Sequence, residues 1–248
     1  MGTVGIMWLR ELKRFWRSKA RIVGSLAQPV LFLVALGFGF GPTFQSAGGG
    51  NYIEFLAPGI IGMRILFSAM FMGIQVIWDR QFGFLKETLV APVSRYKIML
   101  GRTLGGATVA SIQGLLVLII SLFLGFSPKN LIMVPFAFVF MFLIAVLFTA
   151  LGTAIASRLE DMQAFQLIIN FVIMPLFFLS GALFPIDTLP NALKVVIKVN
   201  PLSYGIDGLR TVLTGVTHLG LVLDFSVLAS LTIIVTLIGS YLFSKIEV

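Results

Sequence analysis

The sequence contains no cysteine and a single histidine, His218, among 248 residues. The missing cysteines exclude disulfide bonds, thiolate metal sites and cysteine nucleophiles, and one histidine cannot build a metal site alone. Charge is also scarce: 11% of the residues are charged, against about a quarter in an ordinary soluble domain. The chain therefore lacks the polar surface of a soluble protein.

No G-x-x-x-x-G-K-[ST] loop occurs in the chain, so we expect no segment that cradles the phosphates of ATP. No carboxylate pair, catalytic triad or metal-ligand cluster is recognisable either. We therefore expect no catalytic residues, no metal site and no cofactor in this chain, and we do not expect it to be an enzyme by itself.

Apolar residues dominate instead, at 58% of the chain, with a mean hydropathy of +1.03. Several apolar runs reach the roughly 20 residues that cross a bilayer as a helix. The sequence predicts an all-α integral membrane protein with one transmembrane domain over residues 1–248 and six transmembrane helices. The predicted spans are 22–41, 55–78, 103–126, 131–156, 163–185 and 220–243. In the fifth span Pro175 predicts a kink.

Residues 5–18 are too charged to span the membrane. One face of a helical wheel carries Trp8, Leu12, Phe15 and Trp16, and the opposite face carries Arg10, Lys13, Arg14 and Arg17. This pattern predicts an amphipathic interfacial helix lying in the membrane surface. A signal peptide is the alternative, but the basic part is long and carries tryptophan.

The net charge is +8, and most of the Lys and Arg residues fall in the segment before the first span and the loop after the second. Under the positive-inside rule this places both termini in the cytoplasm of a multi-pass protein of the plasma membrane. The positive charge is then a signal of topology, and we expect no nucleic acid as a partner.

Residues 186–218 form an outer region with two short amphipathic helices separated at Asn200-Pro201. Asn200 is a favourable N-cap, Pro201 suits the first helical position, and Gly215 can end the second helix. Helices this short cannot cross the bilayer, so we expect them to be re-entrant, dipping into the outer leaflet.

The loop at 79–100 is a mixed-charge segment on the predicted cytoplasmic side. Phe82, Leu85 and Leu89 recur at helical spacing, and Pro92 ends the helix. Such a helix either lies in the interface as a spacer or fits a groove on a cytoplasmic partner.

Four motifs occur in order along the chain: "FLAPGI" at 55–60, "DRQFGFLKETLVAPVSRYKIMLGR" at 79–102, "FFLSGALFP" at 177–185 and "NPLSYGIDGLR" at 200–210. With them the whole chain resembles the membrane subunits of type-2 ATP-binding-cassette (ABC) exporters, of the daunorubicin-resistance and nodulation-factor kind. The resemblance implies a permease that works as a dimer, a homodimer being expected, with cytoplasmic ATPase subunits that hold ATP and magnesium. The substrate would be an amphipathic drug, lipid or glycan.

In the resembled family the loop after the second span carries a coupling helix that docks on the ATPase. Carried over, the candidate coupling residues are Phe82, Phe84, Leu85, Glu87, Leu89, Pro92, Arg95 and Arg14. A charge pair between Glu87 and Arg14 is expected to tie the coupling helix to the N-terminal helix.

Arg64 lies about 14 Å into the second span, where a charge costs about 2.5–3.5 kcal/mol, and that span offers no acidic partner. It either snorkels or bonds backbone carbonyls, or faces a wet cavity and attracts an anionic substrate. Spans two and five both carry polar stripes, and the family uses them to line its pathway. The candidate pathway residues are Arg64, Phe67, Ser68, Phe71, Gln75, Gln166, Asn170 and Phe171.

Two other classes of protein remain as alternatives. An ATP-independent channel or secondary carrier would predict inverted repeats or midspan carboxylates, and neither is recognisable. A structural membrane subunit would have no transport role. Small residues at four-residue spacing, at Gly101/Gly105 and Gly106/Ala110/Gly114, predict close helix packing.

Overall fold

The computed structural model describes residues 2–46, 50–90, 92–186 and 189–246, without the side chains of Arg21 and Leu89. Most of these residues are helical and none forms a strand, which confirms the all-α class. The α-helices are α1 (Thr3–Arg17), α2 (Lys19–Ser46), α3 (Tyr52–Gln81), α4 (Phe84–Val90), α5 (Arg95–Phe123), α6 (Val134–Ala156), α7 (Met162–Ile168), α8 (Met174–Phe178), α9 (Asn191–Val199), α10 (Pro201–Thr214) and α11 (Leu221–Ser244). A 3₁₀ turn, Leu131–Met133, precedes α6, and a π-helical segment, Ile169–Ile173, joins α7 to α8.

Five helical segments of the described chain are long and apolar enough to cross a membrane. They are Ile22–Ser46, Tyr52–Gln81, Arg95–Phe123, Leu131–Ala156 and Leu221–Ser244. These five correspond to the first, second, third, fourth and sixth spans expected from the sequence.

The predicted fifth span, 163–185, contains a shorter apolar helix, Met162–Phe178. Its length of roughly 25 Å at 1.5 Å per residue is less than the roughly 30 Å of a bilayer core, so the sixth crossing stays a prediction. The π-helical segment ends at Ile173, two residues before Pro175. Because proline has no N–H to bond the carbonyl one turn earlier, a widened turn at this point relieves the mismatch.

Helix α3 is the centre of the bundle and packs against α2, α5, α6 and α10. Side chains along much of its length are fully buried, among them Leu56, Ile60, Ile65 and Met70. Helix α11 packs on α6 and α10, and α1 packs on α5. A helix that is apolar all round and buried in this way is typical of the interior of a membrane bundle.

Glycines mark the close approaches between these helices. Gly101 and Gly105 of α5 face Met7 and Glu11 of α1, and Gly114 faces Ile65 of α3. This confirms the packing predicted from the small-residue spacing. Helices in lipid associate by close van der Waals contact, because lipid tails are as apolar as the side chains.

Helix α1 is oriented differently from the prediction. The side that it buries carries Met7, Glu11 and Phe15, which lie one turn apart, and Trp16 is left 60% exposed. Trp8 Nε1 donates to Thr108 Oγ1 of α5 at 3.0 Å. The hydrophobic stripe of α1 therefore contacts protein as well as any lipid surface, and it takes the carboxylate of Glu11 into the bundle.

The two short helices before α11 also differ from each other. Helix α10 begins as predicted, with the Asn200 side chain accepting from the Leu202 amide at 3.0 Å, and it ends at Gly215 in the left-handed region. Most of its residues are buried against α3, α6 and α11, however, so it is a core helix. Helix α9 exposes most of its residues.

Side-chain contacts to backbone define the two ends of the bundle. At one end Arg95 donates to the carbonyls of Ser244 and Ile246, at 2.8 and 2.9 Å, and Gln81 donates to Glu160 O at 3.0 Å. At the other end Tyr52 Oη donates to Leu183 O at 3.0 Å. The first end also holds α1 and its arginines.

Gly59 provides a test of the packing. A Cβ at this position would lie 2.3 Å from the carbonyl oxygen of Ala182. We expect Gly59→Ala to destabilise the protein by about 1–3 kcal/mol, because neither backbone can retreat without disturbing α3. Thermal unfolding in detergent measures the loss.

Gly39→Ala is the matched control, because nothing lies within 4 Å of the added carbon at this position of α2. A melting temperature that falls equally in both variants would contradict the packing at Gly59.

Candidate functional site

Asp79 is a buried carboxylate at the end of α3, with 2% of its side chain exposed. It pairs with Arg10 of α1 at 3.1 Å, with Arg14 of α1 at 3.7 Å, and with Arg102 of α5. Arg102 is itself buried, with 5% of its side chain exposed. This cluster, called here the Asp79 cluster, ties α1, α3 and α5 together through one acid.

The Asp79 cluster corrects one sequence prediction. Arg14 donates to Gln75 Oε1 at 2.9 Å and pairs with Asp79, whereas Glu87 is exposed on α4 and makes no ion pair with Arg14 in the described structure. The stronger interaction for Arg14 is the buried acid, because attraction between charges increases as the surrounding dielectric falls.

A cavity of about 510 Å³ lies between α1, α2, α3 and α5, directly beside the Asp79 cluster. We call it the α1–α3 cavity. It is lined by Glu11, Arg14, Phe15, Gly24, Ser25, Arg64, Ser68, Phe71, Met72, Ile74, Gln75, Trp78, Val109 and Gln113. An apolar cavity of this size with a few polar side chains is typical of a binding site for a small molecule.

Arg64 lines this cavity and donates through Nη2 to Gln113 Oε1 of α5. Its partner is thus a neutral amide on the next helix, which the sequence analysis did not identify. The amide leaves the positive charge of Arg64 unneutralised, because an amide oxygen accepts a hydrogen bond without carrying a full charge. Arg64 therefore remains a cation facing a cavity.

The structure brings together four of the eight predicted pathway residues, since Arg64, Ser68, Phe71 and Gln75 all line the α1–α3 cavity. Phe67 does not join them: its ring packs edge-on against Phe177 at 6.3 Å within the core.

The predicted pathway residues of the fifth span also lie elsewhere. Gln166, Asn170 and Phe171 are exposed on α7 and the π-helical segment, where Gln166 Nε2 donates to Asn170 Oδ1 at 3.4 Å. They do not line the α1–α3 cavity.

The predicted coupling residues lie on and around α4, which follows α3 through a sharp turn. Gly83 has a φ of 79°, a conformation that favours glycine. Phe82 and Phe84 are 71% and 54% exposed, whereas Leu85 is fully buried in the core. Leu85 therefore anchors α4 to the bundle. The predicted face that joins it with Phe82 is corrected, because Phe82 lies before the turn at Gly83 and is exposed, whereas Leu85 is buried.

The remaining coupling candidates include both exposed residues and one that is bonded to the bundle. Glu87 and Pro92 are exposed, and the Leu89 side chain lies outside the described part of the chain. Arg95 uses its guanidinium to bind the backbone that ends α11.

A second cavity of about 640 Å³ opens between α1 and α4, and we call it the basic groove. It is lined by Ile6, Leu9, Arg10, Lys13, Arg14, Arg17, Asp79 and Phe84. Four cations and one buried acid give this groove a strongly positive character. Arg14 lines both this groove and the α1–α3 cavity.

Sequence reasoning also missed the polar contacts at the opposite end of the bundle. Arg210 of α10 is 1% exposed, donates to Gly181 O at 2.9 Å and lies 4.2 Å from the centroid of the Phe55 ring. Asn200 Nδ2 donates to the carbonyls of Leu176 and Leu179, at 2.6 and 2.9 Å. These contacts fix α10 to α8 and to the turn that follows it.

The sequence also did not indicate the roles of two acids at the same end of the bundle, Asp207 and Asp224. Asp207 of α10 accepts from the Leu219 amide at 2.8 Å, and Asp224 is fully buried in the first turn of α11. Among the described residues no group of three His, Asp or Glu could hold a metal ion.

The all-helical bundle, its apolar spans and the four ordered motifs define a membrane transport permease. The family model for ABC-2 type transporters matches residues 3–214, and the chain belongs to this family.

Curated relatives agree with this assignment. The chain is 33% identical to a putative transport permease, ycf38, of Pyropia yezoensis, over 81% of this chain and 70% of the relative. It is 28% identical to nodulation protein J of Rhizobium leguminosarum bv. viciae, over 97% and 95%. It is 29% identical to the inner membrane transport permease YadH of Escherichia coli K12, over 90% and 87%.

Asp79→Asn tests the Asp79 cluster. The substitution leaves the buried Arg102 and the half-exposed Arg10 and Arg14 without their common anion. We expect a loss of about 3–5 kcal/mol of stability, because an uncompensated buried charge remains. Thermal unfolding of the purified chain in detergent measures it.

Glu160→Gln is the control, because this exposed acid lies outside the cluster. If Asp79→Asn unfolds at the same temperature as the control, the cluster does not hold the helices together.

Proposed function

We propose that this permease moves an amphipathic substrate of the drug, lipid or glycan type out of the cell, powered by a separate ATPase subunit that carries ATP and magnesium. The observation that carries the proposal is the α1–α3 cavity, whose otherwise apolar lining includes two arginines, two glutamines, two serines and one glutamate. An amphiphile needs both kinds of surface, because its apolar part seeks the lining and its polar part must replace lost hydration.

The proposed arrangement is a dimer of this chain, each copy with six crossings and both termini in the cytoplasm. The end that holds α1, α4 and Arg95 is then cytoplasmic, in keeping with the many Lys and Arg residues gathered there. The outer region at 186–218 caps the opposite end, where Tyr52 and Arg210 bind carbonyls of residues 181–183.

The ATPase is proposed to dock on α4 and the basic groove. Phe82 and Phe84 offer exposed apolar surface there, and Arg10, Lys13 and Arg17 surround it with positive charge. Movement of α4 would reach the cavity through Arg14, which lines both spaces and bonds Gln75.

The coupling role is tested by Phe84→Asp. Since Phe84 is more than half exposed, we expect a folded, membrane-inserted permease whose substrate-stimulated ATPase activity falls about tenfold or more, as for the loss of a buried apolar anchor at an interface. The activity is measured on the reconstituted complex of permease and ATPase.

Two comparison variants make the coupling result interpretable. Leu85→Asp introduces a charge into the core and is expected to lower the folded yield itself. Ser127→Asp adds the same charge at an exposed position of the opposite end and should behave as wild type. Normal stimulation in Phe84→Asp would exclude docking at this surface.

The pathway role is tested by Arg64→Met, which keeps the side-chain length and removes the cavity cation. Transport of an amphiphile with an anionic group should fall about tenfold or more, since a charge-assisted hydrogen bond is lost, whereas a neutral amphiphile of equal chain length should be transported normally. Proteoliposomes containing the ATPase complex provide the assay.

Arg158→Met is the matched control, because this exposed arginine does not line the α1–α3 cavity. Equal transport of both amphiphiles by Arg64→Met would show that Arg64 has a structural role only, and a lower yield of dimer would show that it acts in assembly.

A further inference from the structure

Glu11 is a buried carboxylate in the α1–α3 cavity for which the described structure provides no partner. Its side chain is 4% exposed, and neither Oε1 nor Oε2 accepts a hydrogen bond from a described residue. It also lies outside the three ion pairs of the Asp79 cluster. A buried ionised carboxylate without a donor is costly, so this position is suited to a donor that enters from outside the protein.

The cavity holds an opposite charge that is also incompletely bonded. Arg64 gives Nη2 to Gln113, and its buried Nε has no hydrogen-bond partner in the described structure. A guanidinium nitrogen in this position can donate to an anionic oxygen of a ligand.

The two charges lie at different levels of the bundle. Glu11 packs beside Gly105 of α5, and Arg64 bonds Gln113, eight residues further along the same helix, which is about 12 Å at 1.5 Å per residue. Among the described residues, the α1–α3 cavity therefore has an unpartnered carboxylate at the end near the Asp79 cluster and an unpartnered guanidinium nitrogen at the deeper end.

The other described polar groups of the cavity leave Glu11 without a counter-ion and add hydrogen-bond donors. Arg14 is bonded to Gln75 and Asp79, so it is not the counter-ion of Glu11. The amide oxygens of Gln75 and Gln113 both accept from arginines, which leaves their N–H groups as donors. Around these groups the lining includes Phe15, Phe71, Met72, Trp78 and Val109.

We propose that the α1–α3 cavity binds a zwitterionic amphiphile. Its ammonium group pairs with Glu11, its anionic group pairs with Arg64 and the amide donors, and its apolar chain packs on the aromatic and aliphatic lining. Glu11 then acts as a selectivity residue, because it attracts the ammonium group and repels a ligand that carries negative charge alone. The proposal rests on the proposed function, in that it takes this cavity as part of the substrate pathway.

The test uses the purified full-length chain in maltoside micelles with four probes. Lysophosphatidylethanolamine is zwitterionic, lysophosphatidic acid is anionic and a monoacylglycerol is neutral, all with one acyl chain length; glycerophosphoethanolamine is the same zwitterion without the chain. Trp78 lines the cavity, so the change in tryptophan emission that disappears in Trp78→Phe reports binding there.

We expect lysophosphatidylethanolamine to bind about tenfold or more tightly than the other three probes, as one charge-assisted contact at each end implies. In Glu11→Gln its affinity should fall about tenfold while that of lysophosphatidic acid rises. Glu11→Asp should keep the wild-type preference, and Glu160→Gln, at an exposed acid outside the cavity, should change nothing.

If Glu11→Gln does not fold, Arg64→Met decides the matter: both phosphate-bearing lysolipids should weaken about tenfold, and dodecylamine, which has only the ammonium group, should bind as in wild type. Equal weakening of dodecylamine would overturn the assignment of the two ends.

The failures of the two proposals differ. If all lysolipids bind alike, or if Glu11→Gln leaves the preference unchanged, the zwitterion is excluded while the cavity remains a pathway for amphiphiles. If glycerophosphoethanolamine binds as tightly as its lysolipid, the ligand is a soluble zwitterion and the amphiphile is excluded. If no probe changes the Trp78 emission, both the zwitterion site and the cavity as a substrate pathway are excluded.

Discussion

One carboxylate, Asp79, holds three helices that otherwise pack mainly through apolar side chains and a few hydrogen bonds such as that from Trp8 to Thr108. Apolar packing in a bilayer is weakly directional, because lipid offers nearly the same surroundings as a neighbouring helix. A buried ion pair is different, since the acid must stay within reach of its guanidinium groups or lose several kcal/mol. The Asp79 cluster therefore fixes the height and rotation of α1 against α3 and α5. That rotation is what takes Glu11 into the α1–α3 cavity and leaves Arg10, Lys13 and Arg17 around the basic groove.

Arg210 and Arg64 show that the same residue type can have two different roles inside the bundle. Arg210 has its guanidinium bonded to a backbone carbonyl oxygen and placed over the ring of Phe55, at the end of the bundle opposite the Asp79 cluster. Arg64 faces a cavity and has one neutral amide as its partner. The first arrangement stabilises a junction between helices. The second keeps a charge available at the surface of a space large enough for a ligand.

The sequence predicted where the helices lie along the chain better than it predicted which residues each helix contacts. Apolar run length located five spans, and the Asn200-Pro201 pair and Gly215 located α10, because these signals depend on local geometry. Periodicity identifies a face of a helix but does not say what covers it. Thus Leu85 and Phe82 belonged to one predicted stripe, yet a turn at Gly83 separates them, and Leu85 is buried. Glu11 was hidden for a related reason: on a wheel it is one acid among basic residues, and only the contact with Gly105 shows that it faces inward.

The contact of Arg95 with the end of α11 has a consequence for how this chain tolerates change. The guanidinium binds the main-chain oxygens of Ser244 and Ile246, and every amino acid presents the same oxygen at those positions. The two hydrogen bonds therefore do not depend on which side chains stand at the end of α11, but they do depend on the number of residues that lead up to them. One residue inserted or deleted near the end of α11 would rotate the helix by about 100° and shift it by about 1.5 Å. The length of this segment is therefore constrained, whereas its side chains can vary.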